Sequence, residues 1–248
     1  MDYIMIRDKL VAWLQHSVRD AKADGLVIGL SGGIDSSVAA ALSMLAFPKQ
    51  SFGLIMPCYS HVKDSEDALL LAQAIGLPYK TVILDHVYDE IVKAINPHCR
   101  YEESPMSYAN VKPRLRMTAL YFEASLRNYL VLGTGNKSEF VTGYFTKYGD
   151  GGVDLEPLGE LLKTDVKELA RLLGLPDRLI TKNPSAGLWE NQTDEQEMGF
   201  SYADLDTYIK TGEGSKELVD KVMALNSKSQ HKKNLPPTCP LDLHYKID

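Results

Sequence analysis

The chain of 248 residues is 44% hydrophobic and 24% charged, which argues against disorder and predicts one large domain with a full core. Its formal net charge of −6 argues against a broad nucleic-acid-binding surface, and no apolar run is long enough to span a membrane. Three widely spaced cysteines argue against a disulfide scaffold or a zinc site, and they suit a protein of the reducing cytoplasm.

Apolar residues recur at helical spacing between Ile4 and Val18, so an amphipathic helix is expected before the first strand. Beyond it, short apolar runs alternate with segments rich in helix-forming residues. The predicted strands are 25–30, 52–57, 79–84 and 129–134. The predicted helices are 36–45, 65–74, 86–95, 108–126, 163–173, 194–210 and 215–228, with loops at 96–107, 144–154 and 182–193.

This alternation predicts an α/β fold: a doubly wound, Rossmann-like parallel β-sheet flanked by helices, with a helical C-terminal extension. No second domain boundary is visible, so residues 1–248 are expected to form a single domain. In such sheets, ligands bind beyond the carboxyl ends of the strands, where the strand order reverses. The glycine-rich turns after Leu30 and Leu132 both follow a strand, so they should face one cleft.

The segment Ser31-Gly32-Gly33-Ile34-Asp35-Ser36 joins the first strand to the following helix. At such a turn, unpaired N–H groups and the helix dipole both favour an anion. Gly32 and Gly33 should let the backbone approach a phosphate and adopt torsions that side chains forbid. No lysine closes the turn, unlike in the G-x-x-x-x-G-K-[ST] loop. An aspartate, Asp35, takes that place, and a carboxylate beside phosphates suggests a bridging Mg²⁺.

The S-G-G-x-D-S string resembles the pyrophosphate-binding loop of ATP pyrophosphatases, which cleave ATP to AMP and pyrophosphate. Further segments are similar to the ammonia-dependent NAD⁺ synthetase family, and the match runs from the first strand to about residue 233. They are R-L-R-M (114–117), G-T-G-N-K-S-E (133–139), G-Y-F-T-K-Y-G-D-G-G-V-D (143–154), P-L (157–158), Lys163 and P-S-A-G-L-W-E-N-Q-T-D-E (184–195). The resemblance implies ATP-dependent amidation of deamido-NAD⁺ by ammonia through an acyl-adenylate, the last step of NAD⁺ biosynthesis.

The resemblance also implies a role for each matched residue. ATP would be bound by Gly29, Leu30, Ser31, Gly32, Gly33, Ile34, Asp35, Ser36, Thr134, Lys163 and Ser185. Mg²⁺ would be held by Asp35 and Glu139, and deamido-NAD⁺ by Arg114, Lys147, Asp154, His231 and Lys232. Catalysis would depend on Asp35, Asp154 and Lys163. A homodimer without a glutaminase domain would be expected, using free ammonia.

Several of these residues also have an ordinary structural interpretation. Arg114 and Arg116 lie on different faces of the predicted helix, and the sequence leaves open which of them contacts substrate. Without the resemblance, Glu139 is equally compatible with a solvated helix residue. Lys163 is compatible with an exposed lysine at the start of a helix. The segment from His231 to Lys233 alone reads as a solvated basic turn.

Two other functions remain as alternatives. Another ATP pyrophosphatase, such as the synthetase half of GMP synthetase or a tRNA-thiolating enzyme, is the nearest. A tRNA enzyme should show a basic face or a catalytic cysteine pair, and a GMP synthetase would lack segments 149–152 and 184–189. A non-catalytic nucleotide-binding module would need neither a second carboxylate at Glu139 nor an ammonium at Lys163.

Overall fold

A computed structural model describes residues 1–95, 97–98, 103–184 and 193–241. Four parallel strands form one sheet in the order β3-β2-β1-β4. They are β1 (Gly25–Gly29), β2 (Ser51–Ile55), β3 (Tyr79–Thr81) and β4 (Tyr129–Leu132). All four predicted strands are present, and each ends before its predicted limit.

The helices alternate with these strands, and after β4 they follow one another without an intervening strand in the part of the chain that the structure describes. They are α1 (Tyr3–Asp20), α2 (Ile34–Ala46), α3 (Val62–Ile75), α4 (Asp85–Ile95), α5 (Pro105–Ala109), α6 (Val111–Arg127), α7 (Lys137–Thr142), α8 (Lys163–Leu172), α9 (Asp177–Ile180), α10 (Asp194–Met198), α11 (Tyr202–Thr211) and α12 (Lys216–Lys233). Among the described residues, no helix is long and apolar enough to cross a membrane.

Helices cover both faces of the sheet. Leu26 and Ile28 of β1 point into a core shared with α1, α2, α3 and α8. Val27, between them, and Val131 of β4 point into a second core with α4 and α6. Because successive side chains of a strand face opposite sides, an apolar run of this kind is buried on both faces. The predicted doubly wound α/β fold is therefore confirmed.

The strand order reverses between β1 and β4. The chain runs outward from β1 through β2 to β3, and then returns to pair β4 with the free edge of β1. The register places Ile28 opposite Leu132, so the two strands end side by side. The loops that follow Gly29 and Leu132 consequently leave the same edge of the sheet, at the reversal point where ligands of such folds bind.

Two predicted helices are each divided in the structure. The segment predicted at 108–126 forms α5 and α6, with Asn110 between them. Pro113 occupies the first turn of α6, where a missing N–H costs no helical hydrogen bond. The segment predicted at 194–210 forms α10 and α11. Gly199 ends α10 with a φ of 77°, and the Ser201 side chain caps α11 by accepting a hydrogen bond from the Asp204 N–H.

The β3 strand is shorter than predicted because its partner strand reaches a proline. Val82 and Leu84 still donate backbone hydrogen bonds to the carbonyl oxygens of Ile55 and Pro57, at 2.8 and 2.9 Å. Pro57 has no N–H to complete a regular ladder, so the pairing continues without strand geometry.

Two predicted loops differ in outcome. The predicted loop at 96–107 overlaps the start of α5, and most of the predicted loop at 182–193 lies outside the described residues.

The predicted helical C-terminal extension is confirmed and has its own small core. Met198, Leu205 and Val222 bring α10, α11 and α12 together. This subassembly touches the rest of the molecule through α7 and α8, which begin near the carboxyl ends of the strands. It thus forms one wall around the edge of the sheet where ligands are expected.

Candidate active site

Residues 30–36 comprise the turn between β1 and α2 and the first residues of α2, and they are called the phosphate loop below. Gly32 has a φ of 73°, and a Cβ there would lie 2.5 Å from the carbonyl oxygen of Asp64 in α3. Only glycine fits this conformation and this close approach. Gly33 has an ordinary extended backbone, with φ −91° and ψ 163°. The expectation of unusual torsions is therefore confirmed for Gly32 and wrong for Gly33.

Serine hydroxyls hold the phosphate loop in shape. The Gly33 carbonyl oxygen accepts hydrogen bonds from the Ser36 and Ser37 hydroxyls, at 3.0 and 2.7 Å. The Gly33 N–H donates to the Ser31 hydroxyl oxygen at 3.2 Å, and that oxygen lies 2.9 Å from the Ser36 hydroxyl. The loop thus leads directly into the positive end of the α2 dipole. Its geometry is ordered by the protein alone and is suited to an anion.

The second turn, between β4 and α7, meets the phosphate loop through Asn136. The Asn136 side-chain amide donates to Asp35 Oδ1 at 2.9 Å. Asn136 also caps α7: its side-chain oxygen accepts from the Glu139 N–H, and Glu139 Oε2 accepts from the Asn136 N–H. This reciprocal capping box fixes the Glu139 carboxylate at the helix start. The prediction that both turns face one cleft is confirmed.

Lys163, the first residue of α8, lies between the two predicted metal ligands. Its Nζ is 2.5 Å from Asp35 Oδ2 and 3.1 Å from Glu139 Oε1. These three residues are called the carboxylate–lysine cluster below. Lys163 is 2% exposed, and its ammonium lies 4.9 Å from the centre of the Tyr202 ring. The interpretations of Lys163 as an exposed lysine and of Glu139 as a solvated residue are therefore wrong.

Burial and charge oppose each other in the carboxylate–lysine cluster. Burial raises the pKa of Glu139 to about 7, although the neighbouring Lys163 ammonium lowers it. Burial also lowers the pKa of Lys163, but the charges of Asp35 and Glu139 outweigh burial and raise it above the ordinary value. Lys163 therefore stays a cation at neutral pH, and burial makes Glu139 harder to ionise than an exposed carboxyl.

A buried network fixes the backbone from which Lys163 projects. The Lys163 N–H donates to the Ser138 hydroxyl oxygen at 3.0 Å, and that hydroxyl donates to Asp206 Oδ1 at 2.5 Å. The second oxygen of Asp206 accepts from the Thr164 N–H at 2.8 Å. The Asp206 carboxylate thereby satisfies the Thr164 N–H directly and the Lys163 N–H through the Ser138 hydroxyl, which ties α7 and α11 to the start of α8. The sequence pattern around Asp206 gives no signal of this role.

A cavity of about 30 Å³ adjoins the cluster and is lined by Thr134, Glu139, Asp150 and Glu156, among others. Glu156 Oε2 accepts a hydrogen bond from the Gly135 N–H at 3.1 Å. Burial, aided by the charges of Glu139 and Asp150 and opposed by that hydrogen bond, raises the pKa of Glu156 to about 8. Thr134, predicted to contact ATP, is thus placed beside the cluster. Glu156 was not predicted as a site residue.

Most of the predicted substrate residues form a second group, called the basic face below. Arg114 is exposed, and its Nη2 lies 3.4 Å from the Lys147 carbonyl oxygen. The Lys147 ammonium donates to the His231 carbonyl oxygen. The Lys232 ammonium donates to the carbonyl oxygens of Gly143 and Phe145, at 2.9 and 2.8 Å. The end of α12 is therefore folded onto the loop after α7 and is not a free basic turn.

The structure separates the two arginines that the sequence could not distinguish. Arg116 donates to the Met56 carbonyl oxygen at 3.0 Å and to the Ser60 hydroxyl at 3.1 Å, which fixes it at the end of β2. Arg114 bonds only weakly to backbone carbonyls, at 3.4 Å, and keeps its guanidinium exposed. Arg114 is consequently the one of the two that is available to a ligand.

Two predicted site residues stand apart from these groups. Asp154 accepts from the Tyr121 hydroxyl at 2.9 Å and from the Val131 N–H at 2.7 Å. Tyr121 lies two turns beyond Arg114 on α6, roughly 10 Å along the helix. Asp154 therefore lies away from the basic face, beside β4. Ser185 lies outside the described residues, so its predicted contact with ATP stays a prediction.

Sequence reasoning missed several residues at the site, and only some of them carry a sequence signal. Asn136 could have been found, since Asn-x-x-Glu is a capping-box pattern directly after a strand. The buried partners Asp206 and Tyr202 could not, because they reach the cluster from helices far along the chain. Contacts of that kind depend on tertiary packing and leave no local pattern.

Comparisons with known proteins agree with this geometry. The sequence model of the NAD synthase family matches residues 6–236. An NH3-dependent NAD⁺ synthetase of Carboxydothermus hydrogenoformans is 56% identical over 229 residues, which cover 92% of this chain and 94% of that protein.

Two solved structures share the fold over nearly the whole chain. One is described as NMN synthetase from Francisella tularensis; its TM-score is 0.92 at 36% identity, with 97% of this chain and 100% of that one covered. The other is an NH3-dependent NAD synthetase from Campylobacter jejuni in complex with nitrate, with a TM-score of 0.81, 31% identity and the same coverage. By sequence and by structure, this chain belongs to the NAD synthase family.

Proposed function

We propose that this protein amidates deamido-NAD⁺ with ammonia and ATP, giving NAD⁺, AMP and pyrophosphate through an acyl-adenylate. The observation that carries the proposal is the carboxylate–lysine cluster, in which Asp35, Glu139 and Lys163 converge beside the phosphate loop. Membership of the NAD synthase family decides against GMP synthesis and tRNA thiolation. A non-catalytic module would not need a buried ammonium between two carboxylates.

The reaction needs an activated acid. Ammonia does not displace oxide from a carboxylate, so the nicotinate carboxylate first attacks the α-phosphorus of ATP and pyrophosphate leaves. Ammonia then attacks the carbonyl carbon and AMP leaves. Both steps move negative charge onto phosphate oxygens, so the protein's contribution is chiefly positioning and electrostatic stabilisation.

Each part of the site supports one part of that chemistry. The phosphate loop offers N–H donors and a helix dipole to the leaving pyrophosphate. Lys163 brings a fixed positive charge to the same place. Gly29, Leu30, Ser31, Ile34 and Ser36 belong to the loop or its approach, and we assign them to ATP with Thr134 and Ser185.

Asp35 and Glu139 fit a magnesium ion in their chemistry. Both carboxylates reach a common point, since one ammonium bonds to both. One or two carboxylates, completed by phosphate oxygens and water, are what Mg²⁺ takes in nucleotide sites. Bound there, the ion would neutralise charge on the phosphates of ATP. We therefore propose these two residues as its protein ligands.

We assign the basic face to deamido-NAD⁺. The exposed Arg114 guanidinium suits a carboxylate or phosphate, and Lys147, His231 and Lys232 lie beside it. Asp154 stays a proposed substrate and catalytic residue, supported by its position at the edge of β4. It would have to act from a different side of the ligand than Arg114.

The NMN synthetase likeness calls for a direct comparison of substrates. Purified protein would be given ATP, Mg²⁺ and ammonium with either deamido-NAD⁺ or nicotinate mononucleotide, and kcat/KM would be measured for each. We expect deamido-NAD⁺ to be preferred by at least tenfold, because the sequence is more similar to the named NAD⁺ synthetase. A preference for the mononucleotide would overturn the assigned substrate while leaving the adenylation chemistry intact.

We also propose that the protein acts as a homodimer in the cytoplasm. Phe122 and Leu126, on α6 with Arg114, are 67% and 68% exposed, which supports an interface there. Sedimentation should show a dimer that Leu126→Glu converts to monomers; a wild-type monomer would contradict the dimer.

The proposed cytoplasmic location is supported by the free thiols of Cys58 and Cys239, which suit a reducing compartment. Cell fractionation would test it.

A further inference from the structure

A second cation, Lys182, touches the phosphate loop from the side of α3. Its ammonium donates to the Gly32 carbonyl oxygen at 3.3 Å, to Asp64 Oδ1 at 2.8 Å and to Asp67 Oδ2 at 2.7 Å. An ammonium has three N–H donors, so all three are used. Lys182 has no place in the mechanism above, yet it bonds to the backbone of the loop on which that mechanism depends.

Hydrogen bonds at both ends set the orientation of the Gly32–Gly33 peptide. Glycine at a φ of 73° has little steric restraint of its own. In a planar trans peptide, the Gly32 carbonyl and the Gly33 N–H point in opposite directions. Holding the carbonyl toward α3 therefore turns the N–H away from α3, toward the Ser31 hydroxyl to which it donates.

The next carbonyl of the loop, that of Gly33, is held by different groups. Two serine hydroxyls of α2 bind the Gly33 carbonyl oxygen. Lys182 supplies the corresponding restraint for Gly32, and it comes from outside the loop and its helix. Partial burial lowers the pKa of Lys182, but its hydrogen bonds and charge interactions with Asp64 and Asp67 outweigh burial and raise it. The restraint is thus charged over the whole neutral range.

We propose that Lys182 is a positioning residue for ATP: it holds the Gly32 carbonyl, and thereby fixes the orientation of the Gly32–Gly33 peptide in the loop that receives the nucleotide. It acts through the backbone and touches no reacting atom. The inference rests on the proposed ATP site and adds to it a residue that neither the sequence motif nor the cluster includes.

Arg178 of α9 provides a matched control. Its Nε lies 2.6 Å from Asp67 Oδ1 and its Nη2 3.4 Å from Glu66 Oε2, so it binds the same helix and shares one carboxylate with Lys182. Among the described residues, Arg178 makes no hydrogen bond or ion pair with the phosphate loop. A merely structural role for the Lys182 ion pairs would make the two residues equivalent.

The test compares Lys182→Met with Arg178→Met, using calorimetric dissociation constants for ATP and deamido-NAD⁺ measured separately. We expect Lys182→Met to weaken ATP binding by about tenfold or more, the scale of one lost hydrogen bond to a charged group. Deamido-NAD⁺ binding should stay within about twofold, and Arg178→Met should keep wild-type ATP affinity. Equal losses of ATP affinity in the two variants, or unchanged affinity in Lys182→Met, would overturn the inference.

Removing Lys182 leaves the Asp64 carboxylate without its cation, which could unfold the variant. The double variant Asp64→Asn/Lys182→Met removes that charge and should regain the wild-type melting temperature while ATP binding stays weak. Wild-type ATP affinity in a folded double variant would contradict the inference. If wild-type protein itself bound no ATP, the proposed function would fail instead, so the two failures are distinguishable.

Discussion

Lys163 is the residue on which the electrostatics of the site depend. Its buried ammonium neutralises Asp35 and Glu139, which would otherwise repel each other across a site of low dielectric. Leaving one member of a buried charged group without its partner is costly, so Lys163 holds both carboxylates in place. In the proposed ATP complex, the same cation would face phosphate oxygens without any rearrangement of the backbone.

Asp35→Asn should lower NAD⁺ formation by roughly 100-fold or more, the scale for losing one preorganised electrostatic group. The amide lacks the charge that balances Lys163, and it cannot accept hydrogen bonds on both sides as the carboxylate does. Turnover would be measured with ATP, Mg²⁺ and ammonium at saturation, and circular dichroism would verify folding. Near-normal turnover in the folded variant would remove Asp35 from the catalytic site.

We expect Arg114→Ala to weaken substrate binding and Arg116→Ala to lower the stability of the fold. Exposed Arg114 is free to meet a ligand, so its loss should raise KM for deamido-NAD⁺ by about tenfold and leave KM for ATP unchanged. Arg116 bonds to the end of β2, so its loss should lower the melting temperature by several degrees. A reversed pattern, with Arg116→Ala specifically harming substrate binding, would exchange their roles.

At the scale of elements, hydrogen bonds from α11 fix the position of the start of α8. Asp206 of α11 accepts hydrogen bonds from the Ser138 hydroxyl and the Thr164 N–H, and it thereby anchors the helix end that carries Lys163. The helices of the C-terminal extension are therefore part of the scaffold of the proposed active site. Their role is to hold Lys163 at a fixed distance from the phosphate loop.

Asp206→Asn should destabilise the protein by about 1–3 kcal/mol, because its amide nitrogen would face a hydrogen-bond donor inside the core. Asp204→Asn, two residues earlier on the same helix, changes an exposed side chain bonded to Ser201 and should cost at most about 0.5 kcal/mol. Urea unfolding of both variants measures the difference. Equal stabilities would show that the Asp206 network does not anchor α8.

The strands and most helices could be predicted from the sequence because their apolar periodicity is local. The division of the segment 194–210 could also have been anticipated, since Gly199 and Ser201 are standard ending and starting residues of helices. The shortening of β3 depends on Pro57, which follows its partner strand β2, and this is a tertiary effect. Likewise, the phosphate loop was visible in the sequence, whereas Asp206 and Lys182 reach the site only through packing.

At the scale of the whole molecule, the reversal of strand order gathers acidic groups at one edge of the sheet. Glu139 and Glu156, together with Asp150, line one small cavity there. Burial raises the pKa of Glu156 to about 8, so the folded protein holds a proton that the unfolded chain releases near pH 4.5. Stability must then fall as pH rises between these two values, because the folded state binds more protons.

Glu156→Gln should remove part of this pH dependence. At pH 8.5 we expect the variant to be more stable than wild type by roughly 1–2 kcal/mol, reduced from the full linkage value because the carboxyl is partly exposed. Near pH 4.5 the two should be equal. Glu160→Gln, at an exposed residue paired with Lys137, serves as the control and should leave the profile unchanged. A wild-type pH profile in Glu156→Gln would contradict the raised pKa.

The central claim is that the acid is activated by adenylation at the phosphate loop and the carboxylate–lysine cluster. It is tested most directly with deamido-NAD⁺ labelled with ¹⁸O in the nicotinate carboxylate, incubated with ATP, Mg²⁺ and ammonium. The account predicts one labelled oxygen in the AMP for each NAD⁺ formed, since the carboxylate oxygen attacks the α-phosphorus. Label in inorganic phosphate with ADP as the other product, or unlabelled AMP, would contradict it.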